Sequence, residues 1–262
     1  MDQKIKDFLD ERAARYEQPD FIKNDPISIP HRFTKLQDIE IAGFFAAILA
    51  WGNRKTIINS CLHLLQRMDN APYDFIMNSE DDDQIAFIDF THRTFNATDL
   101  FHFFAFLKFH YWFLEEVSLE AAFSKHLNPE DENIENALIG FYNSFFDEKY
   151  FGDFADRTRK HIATPEKKSA CKRLNMFLRW MVRSNEKGVD FGLWKKIKPS
   201  QLICPLDIHV SRVARHLKLL NRPQNDWKAA LELTDQLKQY DPNDPVKYDY
   251  ALFGLGVVEK YY

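Results

Sequence analysis

The residues of this 262-residue chain whose types and spacing can do chemistry gather in its second half. In KKSACKRLNMFLRWMVR, Lys168, Lys172, Asn175 and Arg179 recur at steps of four, three and four, so a helix over 168–183 puts them on one face. Leu174, Phe177, Leu178 and Met181 take the opposite face, which reads as core. Further on, in CPLDIHVSRVARHLKLL, Pro205 stops the chain and Asp207 stands where a helix N-cap belongs. Val210, Val213, Ala214 and Leu217 follow at helical spacing. Such a carboxylate accepts from amide N–H groups at the positive helix end, which favours its ionised form. Lys167, Lys172 and Arg173 crowd Lys168, and crowded cations lower an amine's pKa toward nucleophilic use. On spacing alone Asp207 reads first as a plain structural cap. His209 makes a D-x-H pair with it, but residues two apart on a helix diverge, so no metal site is expected.

Positioning these residues falls to a chain that reads as all-α, with roughly ten helices in two lobes. Residues 1–37 read as an N-terminal helix and a wrapping loop, and 38–262 as one domain. DIEIAGFFAAILAWG sets Ile41, Phe44, Phe45, Ile48 and Leu49 on one helical face, stopped at Gly52. NATDLFHFFAFLKFHYWFLEE is apolar nearly all round and reads as a central helix whose His102 and His110, eight apart, sit in the core rim. No convincing alternating strand pattern or internal repeat occurs.

Charge distribution points to a partner. Net charge is −4, yet residues 157–222 carry seventeen Lys and Arg against four Asp and Glu. A basic block inside an acidic chain is the footprint of a groove that tracks a polyanion, although lysines and arginines also coat ordinary exposed helix faces. Eight glycines and no phosphate-loop string argue against nucleotide-dependent chemistry on an α/β sheet. Cys61, Cys171 and Cys204 are too scattered for a disulfide framework and read as reduced, buried thiols. The start is charged from its second residue and no apolar run reaches the ~18 residues of a membrane span. A cytoplasmic chain with no membrane partner is expected.

The string CPLDIHVSRVARHLKLL resembles the Pro-x-Asp segment of the helix–hairpin–helix base-excision DNA glycosylases, and KKSACKRLNMFL their Lys-[Thr/Ser]-Ala helix start. IAGFFAAILAWGNRKTIINSCLHLL is similar to their early helix pair, with Asn53 where they place a polar residue that probes the duplex. The chain as a whole resembles an uncharacterised bacterial branch of that superfamily, closest to the archaeal 8-oxoguanine glycosylases.

The resemblance implies a two-lobed helical glycosylase acting as a monomer on damaged double-stranded DNA of the nucleoid, with an 8-oxoguanine-like purine as the flipped base. Asp207 would be the catalytic carboxylate and Lys168 the amine that attacks the sugar, giving AP-lyase activity. The glycine-bearing hairpin before that lysine is absent, RKHIATPEKK standing in its place, and Lys172 is the alternative amine. Arg173, Arg179, Lys195, Lys196, Lys198, His209, Arg212 and Arg215, with Asn53, would contact DNA, mostly at phosphates. Trp51, Phe177, Trp180 and Trp194 are candidates for holding the flipped base, each also suited to the core. No four-cysteine cluster follows, so neither iron–sulfur cluster nor other cofactor is expected. A non-catalytic nucleic-acid-binding module on the same fold is the alternative, and a helical interaction protein with a merely solubilising basic face the third reading.

Overall fold

The computed structural model describes residues 2–152 and 154–262, Asp81 by its backbone alone. It is mostly helical. Thirteen α-helices form among these residues, three of them single four-residue turns. The longer ones are α1 (Gln3–Tyr16), α2 (Leu36–Ile48), α3 (Arg54–Gln66), α4 (Pro72–Asn78), α5 (Ala97–Lys108), α6 (Glu135–Phe145), α7 (Lys172–Val182), α8 (Ile208–His216), α9 (Trp227–Lys238) and α10 (Tyr248–Gly254). A two-stranded antiparallel hairpin, β1 (Thr91–His92) and β2 (Phe95–Asn96), was not expected. Two residues per strand are too few for an alternating pattern to register.

Two compact units emerge. One comprises Asn24–His126 and Gly140–Ile162; the other comprises Met1–Lys23, Leu127–Ile139 and Ala163–Tyr262. The first is built on phenylalanine. In α2 every residue from Ile39 to Ile48 is buried, so the one-sided face expected there widens to the whole helix. Phe44 and Phe45 of α2 meet Phe103 of α5 at 5.5 and 5.9 Å between ring centroids, and Phe103 meets Phe145 of α6 at 4.8 Å. Buried Glu40 accepts from the Tyr111 hydroxyl at 2.9 Å and from the Leu119 amide at 3.0 Å, which satisfies its side-chain Oε2 inside the core. Buried His102 and His110 hydrogen-bond the Phe145 and Ser118 carbonyls at 2.8 and 2.9 Å, and burial lowers the pKa of both.

In the second unit α1 packs along α10. A Cβ on Gly254 would lie 2.2 Å from the Tyr16 ring, so only glycine permits that approach. Tyr16 and Arg12 both donate to Glu259, at 2.6 and 2.9 Å. Trp180, Trp194, Tyr248 and Tyr250 fill the core with Leu233 and Leu237 of α9. Asp226 caps α9 through the Ala229 amide at 3.0 Å, and Asp207 caps α8.

Candidate functional site

The helix expected over 168–183 begins only at Lys172. Lys168 and Cys171 both take left-handed backbone, φ +60° and +49°, so residues 168–171 form a turn. That turn is tied down by the Trp227 amide, which donates to the Lys168 carbonyl at 3.2 Å. Lys168 is therefore exposed and off the helix, whereas half-buried Lys172 opens it. No ion pair or hydrogen bond engages the Lys172 amine among the described residues.

Asp207 is half-buried, and its Oδ1 accepts from the amides of His209 and Val210 at 2.8 and 2.9 Å. Oδ2 has no protein partner among the described residues. One oxygen thus fixes the carboxylate and the other is left unengaged.

Both groups, Lys172 and Asp207, act on a carboxyl that sequence reasoning did not single out. Asp249 of α10 is buried, ion-paired with Arg179, and approached by the Cys204 thiol at 4.0 Å. Burial pushes its pKa up to about 6; the positive charges of Arg179 and Lys172 oppose the shift and the negative charge of Asp207 adds to it. The charges of Lys172 and Asp207 are both felt at one buried group.

Arg179 corrects the expected cationic ladder. It is 5% exposed, with Nε 3.4 Å from Asp190 and its guanidinium 4.3 Å over the Tyr250 ring. Asn175 is buried too, donating to the Ala170 carbonyl at 3.1 Å. Arg183, also buried, reaches Glu17 at 2.8 Å, Asp190 at 2.5 Å and Asp244 at 2.8 Å. Arg215 is spent on a loop, donating to the Arg222 and Pro223 carbonyls and to Asn225 Oδ1 at 2.8, 3.0 and 2.7 Å. Arg179 and Arg215 are thus not free to bind phosphates. Lys195, Lys196, Lys198 and Arg212 do remain exposed, Arg212 standing 5.2 Å over the Tyr262 ring, and Arg173 is half-buried. His209 is half-buried, its ring 6.5 Å from that of Tyr262.

The aromatic candidates divide. Phe177, Trp180 and Trp194 are at most 1% exposed, and Phe177 meets Trp194 edge-on at 5.3 Å, so they build core and no base pocket. Trp51, in the other unit, is half-buried beneath the Arg93 guanidinium at 4.9 Å. Asn53 is exposed but caps α3, accepting from the Lys55 amide at 2.9 Å. Near Trp51 lie His92, which shares a 2.9 Å hydrogen bond with Ser60, and His161, 3.2 Å from Asp99. Burial works against ionised Asp99, yet hydrogen bonds from His161, the Asn96 amide and Thr158 outweigh it and lower the pKa. Asp99 and His161 stand 62 positions apart, so no spacing signal marks the pair.

With this geometry in hand, comparison with known proteins places the chain. A family model described as "Protein of unknown function (DUF2400)" matches residues 25–258. The chain belongs to the DUF2400 family. No curated protein and no solved structure matched it.

In this DUF2400 protein no group of three or more His, Cys, Asp or Glu is placed to hold a metal ion among the described residues. None of its described helices is long and apolar enough to cross a membrane. An unpaired amine and a carboxylate with one free oxygen suit nucleophilic attack with proton transfer.

Proposed function

We propose that this DUF2400 protein is a DNA base-excision glycosylase with lyase activity, in which Lys172 is the nucleophile and Asp207 the carboxylate that stabilises the sugar cation. The observation that carries this is the pair of half-buried, unengaged groups, the Lys172 amine and Asp207 Oδ2, whose charges act on the same buried Asp249. The resemblance of the Asp207 segment to helix–hairpin–helix glycosylases names the substrate class.

In this reading a damaged base leaves the stack, and its glycosidic bond breaks with the electron pair departing on the base. The Lys172 nitrogen bonds to the sugar C1′, Asp207 takes the proton released and returns it to the ring oxygen O4′, and the C1′–O4′ bond opens to give a Schiff base. Lys168, exposed on its turn, is the weaker candidate.

The test incubates the protein with a duplex carrying an abasic site and reduces with borohydride. A covalent adduct lost in Lys172→Ala and retained in Lys168→Ala supports the assignment, whereas an adduct that survives Lys172→Ala refutes it. The second reading, a non-catalytic nucleic-acid-binding protein, is favoured by the left-handed turn that stands where a glycine hairpin would present the amine. Salt-sensitive duplex binding with no adduct would establish it.

A further inference from the structure

Beyond the C-terminal end of α7, residues 183–199 fold into a loop that opens a cleft of about 510 Å³. Helix α7 rises about 15 Å over its eleven residues, so this cleft is separate from Lys172 at the other end. Its walls are of two kinds. Half-buried Phe191 supplies an aromatic side over the buried Trp194 core, while Lys195, Lys198, Ser184 and Asn185 supply cations and hydrogen-bonding groups. No acidic residue lines it. No carboxylate pairs with Lys195 or Lys198, and the Asn185 amide has no partner, among the described residues.

The cleft is also prepared for an anion at a place where a bare helix end would repel one. The last carbonyls of α7 carry partial negative charge, but Trp180 and Met181 already accept from the Phe191 and Trp194 amides at 2.8 and 2.9 Å. One wall is braced from beneath. Gly192, at φ +60°, lies so close to residues 183–185 that a Cβ would stand 3.0 Å from the Arg183 carbonyl, and Arg183 is anchored by Glu17, Asp190 and Asp244.

We propose that this cleft binds a nucleoside monophosphate unit, its phosphate between Lys195 and Lys198, its base against Phe191 and the base edge within reach of Asn185. Two unpaired amines without a competing acid select an anion, and an aromatic wall with a free amide selects a flat heterocycle over phosphate alone. The unit comes either as a free nucleotide or as one residue of a strand. The inference does not rest on the Lys172 chemistry.

Calorimetric titration of the full chain with deoxyadenosine monophosphate, deoxyadenosine, inorganic phosphate and a short single strand tests it. The monophosphate should bind at least tenfold more tightly than either fragment, and Lys195→Ala and Lys198→Ala, both exposed, should each weaken it by roughly tenfold. Phe191→Leu should lower affinity for the monophosphate and leave that for phosphate unchanged. A strand that competes with the monophosphate identifies a strand residue as the ligand; one that does not identifies the free nucleotide. Phosphate binding as tightly as the monophosphate, or lysine variants with unchanged affinity, overturns the proposal. Loss of the borohydride adduct with monophosphate binding intact would sink the catalytic reading alone, and the reverse would sink this one alone.

Discussion

Asp249 gives the sharpest test of how the second unit is held together. Its pKa rises from an ordinary 3.8 to about 6, chiefly through burial. Below 3.8 the carboxyl is protonated in both folded and unfolded chains. Between 3.8 and about 6 the folded chain keeps a proton that the unfolded chain has lost, so this group's contribution to stability declines as pH rises. Above about 6 the loss is complete, and two pH units at about 1.4 kcal/mol each make it about 3 kcal/mol. Asp249→Asn keeps the shape and an acceptor for Arg179 while removing the titration. Asp10, Asp99 and Asp241 are shifted the opposite way, so the wild-type curve alone is not diagnostic. The difference between variant and wild type is. Urea unfolding at pH 4, 5, 6 and 7 should show the variant gaining about 3 kcal/mol relative to wild type across that range, whatever its offset at pH 4. Parallel curves, or a variant that loses ground as pH rises, would refute burial as the dominant influence on Asp249.

Three further outcomes follow from the geometry. Asp207→Asn retains a side-chain oxygen for the His209 and Val210 amides and should unfold within ~0.5 kcal/mol of wild type, whereas Asp207→Ala should cost about 1 kcal/mol; both should abolish adduct formation, and an active Asn variant would remove Asp207 from the chemistry. Gly254→Ala drives a methyl into the Tyr16 ring and should cost about 1–3 kcal/mol, read as a fall in Tm; an unchanged Tm would mean that α1 does not pack tightly on α10. Arg183→Met strands Glu17 and Asp244 and leaves Asp190 to Arg179 alone, and should cost about 3–5 kcal/mol in urea unfolding; a neutral result would show the network to be loosely held.

The readable parts of this chain were those with local signals. Ile41, Phe44, Phe45 and Ile48 announced α2 by spacing, and Pro205-Leu206-Asp207 announced the start of α8 because a cap followed by an apolar stripe is a short-range pattern. The start of α7 misled for the complementary reason. Lys168 keeps perfect helical register with Lys172, Asn175 and Arg179, and nothing local marks Cys171, neither glycine nor asparagine, as left-handed. Trp180 and Trp194 were ambiguous because an aromatic ring serves a core and a base pocket equally well.

The basic block shows most clearly what counting omits. Seventeen cations against four acids between 157 and 222 suggest a surface, because counting assumes that charges without neighbouring partners face water. The partners are instead distant in sequence. Arg179 reaches Asp249, 70 positions on, and Arg183 reaches Asp244, 61 positions on, and Glu17, 166 positions back. All three acids lie outside the block, so part of its excess charge is the visible half of ion pairs closed by folding. Subtracting Arg179, Arg183 and Arg215 leaves ten exposed cations, among them Lys168, Lys195, Lys196, Lys198 and Arg212, and four half-buried ones, among them Lys172 and Arg173. A polyanion would then meet the exposed lysines and arginines, and not the three arginines that the fold has already engaged. Arg215→Met should therefore leave the salt slope of duplex affinity unchanged while Lys196→Met lowers it by about one, and equal reductions would show that Arg215 leaves its loop when DNA binds.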